Sequence, residues 1–191
     1  MGDPNGNWDD IRWAAEKLWE TGISLLPLNG DGKPLHRWQD TLQDDVSRLS
    51  WERVSELIDG GAEGLAIALG SSLNGDLWCR TFDYWQDYMS CVTLMGQHAK
   101  PLPCTFKEGG KTHVLFLIDD KSVLETFEET GSGRYLIEST PGLVRGRHSL
   151  LRIPPGPDLK WIQEPVIKLE LPNQSNLHYY DAVQVGLLPP F

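Results

Sequence analysis

Asp76-Leu77-Trp78-Cys79-Arg80-Thr81-Phe82-Asp83 is the stretch on which the reading of this chain turns. After the turn-forming run Ser71 to Gly75, it predicts a strand from Asp76 to Phe82. Side chains two apart on a strand share a face, so Thr81 and Asp83 emerge together at its end. Two carboxylates at such positions would seat a divalent cation, since Mg²⁺ takes one or two of them and completes its shell with water and phosphate oxygens. Only Asp83 is ionic here. The simpler alternative is that Asp83 caps the helix expected from Tyr84 to Met95.

Upstream of this strand, Leu65-Ala66-Ile67-Ala68-Leu69 is a continuous apolar run ended by Gly70, the pattern of a strand buried on both faces. Ile11, Ala14, Ala15, Leu18 and Trp19 fall on one side of a helix expected from Asp9 to Glu20, which Gly22 ends. A short strand, Ile23 to Leu28, follows. Ser50 can cap a second helix, with Glu52 in its first turn, Leu49 stapled onto Val54 and Gly60-Gly61 as its stop. Downstream the chain breaks into short strands: Cys104–Lys107, Thr112–Ile118, Arg134–Glu138, Ser149–Ile153, Leu159–Ile162 and Val166–Leu171, interrupted by a helix from Lys121 to Thr130. The fold class is therefore α+β, with a helix-rich N-terminal half and a strand-rich second half. We expect one domain over residues 8–171, followed by a tail, 172–191, that is flexible or serves as a docking peptide.

The composition limits the possible functions. The chain has 191 residues, 40% of them hydrophobic, and no apolar run approaches the roughly 20 residues needed to cross a bilayer. The acidic, polar opening Met1-Gly2-Asp3-Pro4-Asn5 is unlike a signal peptide, so we expect a cytoplasmic protein with no membrane partner. Three widely spaced cysteines, Cys79, Cys91 and Cys104, read as buried reduced thiols. A net charge of −10 opposes coating of nucleic acid by a basic surface. The charge is uneven, however. Residues 1–99 carry 7 basic and 16 acidic side chains, whereas 100–168 carry 10 and 9. Arg145, Arg147, His148 and Arg152 lie in a stretch without acids, where a phosphate-bearing ligand would approach; a solvated basic loop is the alternative.

Two further runs bear on chemistry. In Thr105 to Phe116, the glycines Gly109-Gly110 allow close backbone approach to a ligand, or simply turn a hairpin, and His113 follows three residues later. In Tyr135 to Ser139, Glu138 stands at an expected strand end.

The order of these features resembles the primase–polymerase domain of the archaeo-eukaryotic primase superfamily, in the form found at the N-terminus of plasmid, phage and mobile-element replication proteins. The resemblance spans roughly residues 10–165. It includes Gly22 to Leu28 after the opening helix, Gly32-Lys33-Pro34 with Trp38 downstream, and Leu65 to Gly70. Leu77 to Asp83 is similar to the strand bearing the family's Asp-x-Asp or Asp-x-Glu pair, and Gly109-Gly110-Lys111-Thr112-His113 to its Gly-Gly-x-His turn, one residue longer. Ile137-Glu138 falls where a third carboxylate is expected, and Pro154-Pro155-Gly156 with Trp161 is similar to the family's ending.

The resemblance implies mixed β-sheets with an RRM-like core flanked by helices. It implies Asp83 and Glu138 as ligands of Mg²⁺ or Mn²⁺, and Asp83, Glu138 and His113 as catalytic residues. Nucleotide binding would fall to His113, Lys111, Gly109, Gly110, Arg145 and Arg147. The implied partners are a nucleoside triphosphate, a DNA or RNA template and a separate helicase. Thr81 stands where the family has a metal carboxylate, and losing such a ligand should slow nucleotidyl transfer by roughly 10²- to 10⁴-fold. Three functions follow as expectations: a degenerate domain that binds nucleotide or nucleic acid, an active primase–polymerase, or an interaction scaffold.

Overall fold

The computed structural model describes residues 7–37, 48–72, 75–99, 104–118, 134–136, 142–146, 149–164, 176–177 and 179–188. The expected helix Lys121–Thr130 and strand Val166–Leu171 lie outside these residues, as do Trp38, Glu138, Arg147 and His148.

The first helix, α1 (Ile11–Glu20), starts where Asp10 accepts a hydrogen bond from the Trp13 amide at 2.8 Å, and it buries Ala14, Ala15 and Leu18. The second, α2 (Trp51–Asp59), is capped by the Ser50 hydroxyl, which accepts from the Arg53 amide, and it buries Val54 and Ile58. Arg12 ties the two helices together through Ser55 and Asp59.

Strands β1 (Leu25–Leu28) and β2 (Gly64–Ala68) pair antiparallel, and β9 (Leu150–Ile153) joins the other edge of β2. All five β2 residues are buried, as the unbroken apolar run predicts.

The larger sheet runs in the order β10-β5-β6-β4-β8-β7. Its strands are β10 (Leu159–Gln163), β5 (Cys104–Glu108), β6 (Lys111–Ile118), β4 (Gly75–Phe82), β8 (Gly142–Arg145) and β7 (Arg134–Leu136). A short β3 (Gly70–Ser72) folds back on the start of β4, and β11 (Asn176–Leu177) runs parallel to the end of β6. Gly142 permits the close approach of β8 to β4, because a Cβ there would overlap the Thr81 carbonyl.

One face of this sheet, with Trp78, Phe82, Val114 and Phe116, packs against Tyr88, Cys91 and Met95 of α3 (Trp85–Gln97). The other face, with Leu77, Cys79, Phe106 and Leu115, packs against Leu65, Ile67, Leu151 and Ile153 of the smaller sheet and against α1 and α2. All three cysteines are free, and burial pushes the Cys79 and Cys91 thiols up to about 12.

Two expectations are corrected. The first half is not helix-rich: it also supplies β1 to β4, including the strand at the centre of the large sheet. Apolar runs flanked by glycine, such as Leu65–Leu69, form strands there as readily as in the second half. The segment expected to be a tail is partly folded. Residues 176–177 extend the sheet, and the short helix α4 (Tyr179–Gln184) leads Ala182, Val185, Leu187 and Leu188 into the core beside α3.

Candidate functional site

Antiparallel pairing of β4 with β6 sets Thr81 directly opposite His113. Directly opposed residues share a face, so both point toward the small sheet. The Thr81 hydroxyl lies 2.9 Å from His113 Nδ1, and both side chains are fully buried. The two-residue turn at Gly109-Gly110 then sets Phe106 opposite His113, and their rings stack at 4.9 Å. Trp161 of β10 meets the far side of Phe106 edge-on at 5.6 Å.

On its other nitrogen, His113 Nε2 lies 3.4 Å from the Glu108 carboxylate. That is ion-pair distance, but the alignment is not that of a hydrogen bond. A neutral imidazole carries one N–H. Placing it on Nε2, toward the carboxylate, leaves Nδ1 to accept from the Thr81 hydroxyl. Burial, with smaller contributions from Arg145 and Lys111, lowers the His113 pKa to about 4, against the opposing pull of Asp83. The ring is therefore neutral at pH 7.

Glu108 also forms an ion pair with Arg152 of β9 at 3.2 Å, which links the two sheets. The order hydroxyl, imidazole, carboxylate is that of a nucleophile, base and orienting acid. Here the would-be nucleophile, Thr81, is sealed from solvent, so no substrate carbonyl can reach it. The array is a polar core network.

Asp83, just past the end of β4, is partly exposed and faces Lys111 at 3.5 Å. It does not cap α3. Tyr84 occupies the N-cap position and no side chain caps the helix, so the capping alternative fails. Arg145 lies opposite Cys79 on the same face as Thr81, and its charge reaches both Cys79 and His113. Gly109 takes a left-handed φ of 57° with open space where a Cβ would stand, and Gly110 is likewise unobstructed.

The structure thus brings together Thr81, Asp83, Lys111, His113 and Arg145, with Gly109 and Gly110 at the adjoining turn. Glu138 and Arg147 lie outside the described residues. Sequence reasoning missed the roles of Glu108, Phe106 and Arg152. A two-residue turn, once recognised, fixes Phe106 against His113; no local signal marks the contact between Glu108 and Arg152.

Among the described residues the donor set does not fit a pair of metal ions. Asp83 is the one carboxylate free of the core network, and its ionic neighbour is an ammonium. An open groove of about 630 Å³ lies beside the turn, with Glu108, Gly109, Arg152 and Asp158 among its walls. No helix among the described residues is long and apolar enough to cross a membrane. Comparison of the chain with protein-family models finds no match, and comparison with curated proteins finds none either.

Proposed function

We propose that the chain is a primase–polymerase-like domain of a plasmid, phage or mobile-element replication system that binds nucleotide or nucleic acid, with nucleotidyl transfer weak or lost. The observation that carries this reading is the convergence of two separate sequence motifs. Thr81 of β4 and Asp83 just beyond it meet Lys111 and His113 of β6 at one end of one sheet face. Lys111, Arg145 and the open glycine turn supply cations and accessible backbone for a phosphate group. The Thr81 hydroxyl, already committed to His113, is neutral and cannot replace a carboxylate that bridges metals.

Thermal-shift measurement with nucleoside triphosphates tests the binding half of the proposal, with an expected rise in Tm that Lys111→Ala reduces. Primer extension with Mg²⁺ or Mn²⁺ tests the catalytic half. Robust synthesis abolished by Asp83→Ala would establish an active enzyme instead. One observation favours a non-catalytic scaffold: His113, the expected phosphate contact, is covered by Phe106 and Glu108. That second reading requires no nucleotide-dependent stabilisation at all.

A further inference from the structure

Across the sheet from Thr81 and His113, on the α3 side, Lys107 of β5 stands directly opposite Lys160 of β10. Both are exposed, and among the described residues neither ammonium has a carboxylate partner within ion-pair distance. Like charges directly opposed on antiparallel strands are destabilising, and the fold keeps these two about 5 Å apart at Cβ. Beside them, at the start of α3, Tyr84 is 60% and Trp85 42% exposed, with Met89 one helical turn further on at 41%. The Lys107 ammonium lies 4.1 Å from the centre of the Trp85 ring, so the cationic and aromatic features form one surface. The same two lysines line the groove that continues past Gly109 to Arg152.

We propose that this surface binds a short single-stranded nucleic acid segment. A base would stack on Tyr84 or Trp85, and successive phosphates would lie on Lys107 and Lys160. Exposed aromatic faces accept any base, whereas an aliphatic patch would favour a peptide. The cations are lysines, which serve phosphates as point charges, and not the planar forks that match carboxylates. Glu108 and Asp158 in the groove wall, with the chain's net charge of −10, confine the contact to a few nucleotides. The surface adjoins the proposed nucleotide pocket at Gly109 but draws on other side chains and needs neither metal nor triphosphate, so the two proposals can fail separately.

Fluorescence anisotropy of a labelled short oligothymidylate with the full chain, in chelator, tests it. Trp85→Ala should weaken binding by about 5- to 150-fold, the loss of one stacked base. Two phosphate contacts predict about a sevenfold loss of affinity between about 50 and about 200 mM salt, and Lys107→Glu with Lys160→Glu should remove that dependence. Circular dichroism checks folding, and Tyr84→Ala, at the more exposed ring, replaces Trp85→Ala should the latter misfold. Absence of oligonucleotide binding, or binding indifferent to both the aromatic and the lysine variants, overturns the proposal. Binding of a glutamate-rich peptide in place of the oligonucleotide, with the same sensitivity to the variants, also overturns it and assigns the surface to a protein partner.

Discussion

Facing α3, strands β4 and β6 present Trp78, Phe82, Val114 and Phe116, closed over by Tyr88, Cys91 and Met95. Facing the small sheet, one residue out of step, the same strands present Thr81 and His113 among Leu77, Cys79 and Leu115. The helix-covered face carries its own buried cation, Arg80, which lies over the Phe82 ring and donates to the Thr81 carbonyl at 3.2 Å. What sets the small-sheet face apart is that its polar groups join the two sheets. Thr81, His113, Glu108 and Arg152 form a chain of contacts across four strands and two sheets. A strand pair can thus pack against a helix on one side and carry a polar network that joins two sheets on the other, because a one-residue step reverses the face.

The sharpest way to break this contrast is Phe106→Ala, which removes the ring stacked on His113 and touching Trp161. It should cost about 3–5 kcal/mol in urea unfolding. It should also let the His113 pKa climb back toward its ordinary 6.5, which NMR titration would read.

The next effect is a pH dependence. The unfolded imidazole binds its proton near pH 6.5, whereas the folded one waits until about 4. Between those values the unfolded state holds more protons, so stability is full above 6.5 and is lost as pH falls toward 4. The loss should be about 3 kcal/mol. His113→Phe should abolish that component of the pH profile; an unchanged slope would assign it to other groups.

Thr81→Val keeps the shape but leaves His113 Nδ1 buried without its partner, at about 1–3 kcal/mol. Smallest should be Arg152→Ala. Its ion pair with Glu108 is partly exposed, so solvent screening keeps the loss below about 1 kcal/mol, and added salt should shrink it further.

Much of this was legible in advance. Ser50 before an amphipathic run marked the start of α2, and the glycine-terminated run at Leu65–Leu69 marked a fully buried strand. Thr81 and Asp83 were legible as a pair because alternation along a strand is a local property. The role of Asp83 was not, since moving the N-cap one residue to Tyr84 turns a cap into a partner for Lys111. Glu108 and Arg152 stayed hidden because their contact joins two sheets, and nothing near either residue encodes it. Residues 182–188 stayed hidden for another reason: six residues of helix are too few to display a period.

That last segment bears on how the protein is made. The α3 face of the large sheet is closed in part by Ala182, Val185, Leu187 and Leu188, and the end of β6 by Asn176 and Leu177. A ribosome adding about 5–20 residues per second needs several seconds to travel from Ile118 to Leu188. Throughout that interval Val114, Phe116 and Ile118 already exist while part of their cover does not. The nascent chain therefore passes through a window with an open hydrophobic face, and chaperones that recognise apolar strands have their opportunity there.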